Sequence, residues 1–137
     1  MSNMEQTLSI IKPDAVERNL DKEIKSIFLK NGFKIIKEKK LKLEKNEAEQ
    51  FYKVHQTKPF YNDLCEYLSS GPVVVMILEK EDAILANRDL MGATDPTHAE
   101  EGTIRKSFGI SIDKNSVHGS DSVENAKIEI DFFFKAN

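Results

Sequence analysis

Cysteine is nearly missing from this 137-residue chain. Cys65 stands alone, so no disulfide can close within it, which fits a reducing compartment. No apolar run reaches the roughly 20 residues that a membrane-spanning helix needs. Met1 to Gln6 has neither the charged-then-apolar pattern of a secretory signal nor an arginine-rich transit pattern, so a cytoplasmic protein is the expectation. Charge of one sign is not in excess either. The 20 Lys and Arg against 23 Asp and Glu leave a net −3, and whole-chain charge gives no reason to expect nucleic-acid binding. The Gly-rich phosphate cradles GxxxxGKS/T and GxGxxG are absent. So are HExxH and any Cys/His cluster, which argues against a protein-held zinc. No GxSxG supports a Ser-His-Asp hydrolase. Repeats, low-complexity stretches and linkers are also lacking. What is present is ordinary for a globular protein: 39% apolar and 31% charged residues. That is enough for one domain over 1–137 with a core of its own.

Hydrophobic spacing then sets the elements. Thr7 to Ile11 reads as a strand ended by Lys12-Pro13-Asp14, since Pro13 cannot continue a ladder but suits a first helical turn. Leu20, Ile24, Ile27 and Phe28 predict a helix over 20–31, stopped by Gly32. Apolar positions 33, 35, 41 and 43 among lysines predict a long strand near a sheet edge. Ala48, Phe51, Tyr52 and His55 share a face of a helix over 45–55. Phe60, Leu64, Tyr67 and Leu68 mark the next, closed by Ser69-Ser70-Gly71-Pro72. Val73 to Leu78, apolar throughout, predicts a central strand buried on both faces. Ala83 to Met91 is helical with Asp82 as its expected cap. From 92 to 102 there is no periodicity, so a long surface loop follows, of the kind that often carries function. A short helix over 103–108, a strand ending in Val117-His118 and a helix over 122–134 complete the chain. The order β-α-β-α-α-β-α-β-α predicts an α/β (α+β) sandwich. Its ferredoxin-like βαββαβ form has a four-stranded antiparallel sheet covered by helices, with extra helices added.

The chemistry concentrates at Asn115-Ser116-Val117-His118-Gly119-Ser120-Asp121. His118 falls at a strand end. Gly119 lets the backbone turn or approach a ligand without a Cβ. Ser120, Asp121 and Ser122 all suit the N-cap of the following helix. A histidine so held is a candidate nucleophile, base or metal ligand. The last helix carries an anomaly: Glu129 lies on the apolar stripe of Ala126, Ile130 and Phe133. A carboxylate there needs a partner, because leaving it buried and unpaired costs several kcal/mol. The helix begins just after His118, so Glu129 is expected to accept a hydrogen bond from one imidazole nitrogen and leave the other as the nucleophile. Lys12 at a strand end, Arg88 late in a helix and Arg105 after the long loop are candidate anion-binding groups, though each alone suits a solvated surface. Thr94 and Asn115 are neutral donors in loops. Phe60 is a candidate exposed aromatic, and Tyr52 suits the core with its hydroxyl at the rim.

With Asn115-x-x-His118-Gly119-Ser120-Asp121 in view, the chain closely resembles nucleoside diphosphate kinases. The same family pattern appears in Thr7 to Val16, Ser70-Gly71-Pro72-Val73-Val74, Asn87-Arg88-x-Leu90-Met91-Gly92-Ala93-Thr94 and Gly102-Thr103-Ile104-Arg105, in the family's order and across nearly the whole chain. The resemblance implies transfer of the γ-phosphoryl of a nucleoside triphosphate, mainly ATP, to a nucleoside diphosphate. It implies a ping-pong route through a phosphohistidine on His118. The implied catalytic group is His118, Glu129, Lys12 and Tyr52, with Ser120 and Gly119 in support and Ser120 helping to hold Glu129. Lys12, Arg88, Thr94, Arg105 and Asn115 would bind phosphates and sugar hydroxyls. Phe60 would stack on the base, with Leu64 adding apolar contact. Mg²⁺ would arrive on the nucleotide phosphates rather than in a protein cage. The implied assembly is a homo-oligomer, a tetramer or hexamer built from dimers, with no membrane and no specific nucleic acid as partner.

The chain also departs from the family pattern. Asn19 and Lys22 stand where glycines are common, and Asn19 is able to adopt a left-handed conformation. Glu101 replaces the usual proline before Gly102, which is expected to loosen the long loop and weaken subunit contacts. The chain ends soon after Phe134, without the longer tail of many relatives. Two other readings compete with the enzyme. One is a nucleotide-binding regulatory module of the same fold with little turnover. The other is a ferredoxin-like nucleic-acid-binding domain, which the acidic balance disfavours.

Overall fold

Two strands lie at the centre, buried on both of their faces over most of their length. β1 (Met4–Ile11) and β3 (Val73–Glu81) pair antiparallel from Met4↔Glu81 to Ile11↔Val74. The computed structural model describes residues 4–112 and 114–134. Side chains alternate across the sheet, as the two-residue strand period requires. Leu8, Ile10, Val73 and Val75 enter one core, while Ile11, Val74, Met76 and Leu78 enter the other. The lysine-rich β2 (Lys34–Leu41) pairs with β3 at one edge, with a register shift between Ile35 and Lys37. The short β4 (Val117–Gly119) pairs with Ser9–Ile11 at the other edge. The resulting order is β2-β3-β1-β4, antiparallel throughout. This is the expected ferredoxin-like sheet, with β2 at its edge and β3 inside.

Helices cover both faces. α1 (Pro13–Glu17), α2 (Asp21–Lys30), α5 (Ala83–Met91) and α6 (Ile104–Phe108) close the core that Ile11, Val74, Met76 and Leu78 enter, around the fully buried Phe28. Burying such a ring contributes roughly 1.5–3 kcal/mol. On the opposite face, α3 (Lys45–Phe51), α4 (Tyr61–Leu68) and α7 (Val123–Phe134) bury Ala48, Tyr52, Cys65, Leu68 and Phe133.

Several boundaries differ from the sequence expectation for local reasons. β1 begins at Met4, because its outer half continues the ladder with β3 although Glu5 and Gln6 are polar. The helix expected over 20–31 forms as α2, and a separate short helix, α1, precedes it. Pro13 opens α1 with Lys12 as N-cap, and Asn19 turns the chain into α2 with φ 59°, the left-handed conformation open to asparagine. α3 ends at Phe51 and tightens into a 3₁₀ turn, Lys53–His55. Asp82 is the N-cap residue of α5, as expected, but in a left-handed conformation (φ 52°), and its side chain makes no capping hydrogen bond to the helix. The loop over 92–102 holds a 3₁₀ turn, Pro96–His98, whose first residues are fixed by the Asp95 carboxylate accepting from Thr97 N.

Candidate active site

The site is assembled where β1 and β4 end side by side. Register pairs Ile10 with His118 and Ile11 with Val117, so Lys12, the next residue of the chain, emerges beside the histidine's strand. Ile10 faces the core under α3, α4 and α7, and His118 points to that same side. Phe51, at the end of α3, meets the imidazole edge-on with ring centres 5.3 Å apart.

α7 folds back over the strand it follows. Ser122 Oγ accepts from Asn125 N at 3.0 Å and starts the helix, which brings Glu129 round two turns later. Glu129 Oε1 lies 3.1 Å from His118 Nε2. Ser120 Oγ donates to the same oxygen at 2.7 Å and accepts from the Leu8 N–H at 3.1 Å. The fully buried Ser120 thus ties the carboxylate to the central strand. A carboxylate can only accept, so the bridging proton sits on Nε2 and Nδ1 keeps the lone pair. Both side chains of the pair are about one-fifth exposed, which leaves the ring reachable.

Gly119 serves a purpose the sequence did not reveal. It is an ordinary strand residue rather than a turn. A Cβ there would meet Asn87 Nδ2 at 2.2 Å and Met91 Cε at 2.8 Å. The missing side chain lets α5 press against β4, and neither a sharp turn nor ligand approach is needed to account for it.

The cations approach from the other elements. Lys12, nearly buried, donates from Nζ to Asn115 Oδ1 at 3.0 Å, while Asn115 Nδ2 donates to Thr94 O and Ile112 O. Arg105 donates from Nη1 to Gly92 O at 3.0 Å and from Nη2 to Val117 O at 2.8 Å. Its Nε finds no partner among the described residues. Burial pulls its guanidinium down from the usual range to about 10. Two of its five N–H groups are therefore committed to the main chain, one of them at Val117, the residue before His118. Arg88, on the last turn of α5, lines an open cleft of about 660 Å³ together with Gly92, Thr94, Thr103 and Arg105. His118, Lys12 and Tyr52 are not in that lining. The connection to them runs through Arg105 and Asn115.

Tyr52 is buried, stacked edge-on against Phe51 at 5.0 Å, and burial pushes its hydroxyl well above the ordinary phenol range. Beyond it His55 lies 6.2 Å from Tyr52 and 6.1 Å from Phe60, ring centre to ring centre. Phe60 is 41% exposed, with Lys58 Nζ 5.6 Å over its ring. It stands at the rim, apart from the cluster around His118, and Leu64 packs into the core behind it.

Reading the sequence missed Phe51's contact with His118, for which helix-face periodicity was the only signal. It also gave no role to Asp14, Arg18 and Ser116, because the contact between Asp14 and Ser116 joins segments 102 positions apart. Among the described residues no group of three or more His, Cys, Asp or Glu is arranged to hold a metal.

Comparison with known proteins gives the family and the fold. A family model described as nucleoside diphosphate kinase matches residues 5–137. The chain is 60% identical over 134 residues to a nucleoside diphosphate kinase of Campylobacter jejuni, covering 98% of each. It is 61% identical over 131 residues to one of Wolinella succinogenes, covering 96% of each. Among solved structures, the Aquifex aeolicus nucleoside diphosphate kinase superposes with a TM-score of 0.95 at 42% identity, covering 97% of this chain and 96% of that one. That of Encephalitozoon cuniculi gives 0.93 at 36% identity, covering 96% and 90%.

Proposed function

The chain belongs to the nucleoside diphosphate kinase family, and we propose that it passes the phosphoryl group through His118. The enzyme transfers the γ-phosphoryl of a nucleoside triphosphate to a nucleoside diphosphate. The observation that carries the assignment to His118 is the Ser120–Glu129–His118 chain, which leaves Nδ1 with its lone pair at the end of β4. Nδ1 attacks the γ-phosphorus, the P–O bond to the β-phosphate breaks, and the diphosphate leaves with that electron pair. The phosphohistidine then yields the group to the terminal oxygen of a second diphosphate, and Nδ1 regains its lone pair. Glu129 offsets the positive charge that the ring gains when Nδ1 is phosphorylated and loses when the group is passed on.

Transfer of this kind needs in-line positioning and neutralisation of the phosphoryl oxygens more than covalent help from the protein. Lys12, Arg88 and Arg105 supply cationic donors, and Thr94 and Asn115 neutral ones toward phosphates and sugar hydroxyls. Tyr52 stands beside the group in transit. Phe60 stacks on the base. Aromatic stacking contributes on the order of 1–3 kcal/mol per base and tolerates every base, so low base specificity follows. The donor set suits phosphate oxygens rather than a metal, and the carboxylate beside His118 is already engaged by Ser120 and the ring. Mg²⁺ would therefore come with the nucleotide rather than be held by the protein, and would supply neutralisation of the phosphate charge.

The single domain over 1–137 works in the cytoplasm as a homo-oligomer, a tetramer or hexamer built from dimers. Family likeness and the open outer edge of β2 support the assembly, and light scattering reads its size. Nucleotides are its partners, and no helix of the described residues is long and apolar enough to cross a membrane. The test of the mechanism is exchange from ATP to GDP by wild type and His118→Ala. Wild type acquires an acid-labile phosphoryl group from ATP and passes it to GDP, whereas a regulatory module that only binds nucleotide does neither. The variant should lose both steps, and full exchange by His118→Ala refutes the covalent route.

A further inference from the structure

Ser116 stands between Asn115 and the strand that carries His118, and its backbone is in a conformation that side chains avoid, with φ 75°. The Val117 N–H donates to Asn115 O at 2.9 Å, an i→i+2 bond around Ser116. Together these features make the positive-φ γ-turn, which is rare and strained. Such strain persists only where the surroundings over-determine it, and it gathers at functional sites.

The surroundings here are specific. Ser116 is fully buried, and its carbonyl accepts from the Lys12 N–H at 2.8 Å. Its Oγ donates to Asp14 Oδ2 at 2.9 Å. Asp14, only 5% exposed, is itself held from several sides. Tyr67 Oη donates to its Oδ1 and accepts from its main-chain N–H. Arg18 Nη2 reaches its Oδ2 at 3.1 Å and Phe108 O at 2.6 Å. The turn has two outputs. Upstream, Asn115 is aimed at Lys12 Nζ and at Thr94 O. Downstream, Val117 enters β4 with His118 next in line.

We propose that Asp14 is a positioning residue for phosphoryl transfer: by holding Ser116 Oγ it keeps the strained turn that sets Asn115 against Lys12 and aims His118. The proposal rests on the reading of the site given above. Asp14 acts through Ser116 and not on the phosphoryl group.

Two substitutions at Ser116 separate the clamp from the strain it restrains. Ser116→Ala removes the hydroxyl and keeps the Cβ that opposes positive φ. Ser116→Gly removes both, and glycine takes that conformation freely. The measurements are kcat and KM for ATP-to-GDP exchange, well below the melting temperature, with the phosphoenzyme level alongside. Ser116→Ala should lower kcat/KM by roughly ten- to a hundredfold, as small misplacements of catalytic groups do. Ser116→Gly should recover most of that loss. An unimpaired Ser116→Ala overturns the proposal. So does equal impairment of the two variants, or an effect confined to the melting temperature. Asp14→Asn strikes the clamp from its other side and should resemble Ser116→Ala; should it not fold, the Ser116 pair carries the test. A wild type that shows no exchange overturns the reading of the site itself rather than the clamp.

Discussion

Gly119→Ala puts a single methyl group where the structure has no room for one. The added Cβ would lie 2.2 Å from Asn87 Nδ2, 2.8 Å from Met91 Cε and 3.1 Å from Met91 Sδ. Met91 offers the flexible end of its side chain, but the Asn87 amide is fully buried on α5 and cannot swing into solvent. Either β4 or α5 must shift. Overpacking of this kind costs typically about 1–3 kcal/mol. Unfolding entropy near 2.1 cal/mol/K per residue gives about 0.29 kcal/mol/K for a chain of this length, so the melting temperature should fall by about 3–10 °C. Activity should fall with it, because the displaced residue adjoins His118. The decisive comparison is the double variant. Neither the nitrogen nor the oxygen of the Asn87 amide finds a hydrogen-bond partner among the described residues. Asn87→Ala therefore forgoes no such bond and removes the atom nearest the new methyl. In a thermal melt at fixed protein concentration, Asn87→Ala/Gly119→Ala should recover more than half of the loss. A Gly119→Ala protein that melts like wild type, or a double variant no better than the single, would refute the packing account and return Gly119 to a role in turning or ligand approach.

Two further outcomes follow from the same geometry. Glu129→Gln keeps the shape beside His118 but presents an amide N–H₂ that is able to donate to Nε2, which moves the ring proton to Nδ1 and blocks the nucleophile. The kcat should drop by on the order of 10²-fold or more with nucleotide KM little changed, the same tautomer logic that costs hydrolase triads about 10⁴; an unchanged kcat in steady-state exchange kinetics sinks this account of Glu129. His55 supplies a pH dependence. Burial first and the nearby Lys58 second hold its pKa below the ordinary imidazole value of 6.5, so near and just below that value the unfolded chain binds more protons than the folded one. Its contribution to stability is complete above pH 6.5 and is lost as pH falls toward the folded pKa. His55→Gln should flatten the melting temperature between about pH 7 and 5, and an identical slope in wild type and variant contradicts the assignment.

Much of the architecture was legible because it depends on local pattern. The uninterrupted apolar run of Val73 to Leu78 reads as a central strand, and the lysines spaced through 34–41 read as an edge. Glu129 was legible for the opposite reason, as one charge breaking an apolar stripe, and the structure sets it 3.1 Å from His118. Boundaries were harder. The five-residue α1 is too short to show a period, and the early end of α3 turns on a tightening to 3₁₀ geometry. Propensity says little about either.

The sequence by itself determined which residues alternate, which faces are apolar, and that one histidine precedes a capped helix, since each of these is settled by neighbours within a turn or two. Only the tertiary structure decided what those residues meet. Ser116 and Asp14 are 102 positions apart, and the glycine beside the histidine answers to a helix some 30 residues earlier in the chain. Packing joins distant segments at ångström distances, and periodicity, which records only which way a side chain points, carries no trace of what waits there.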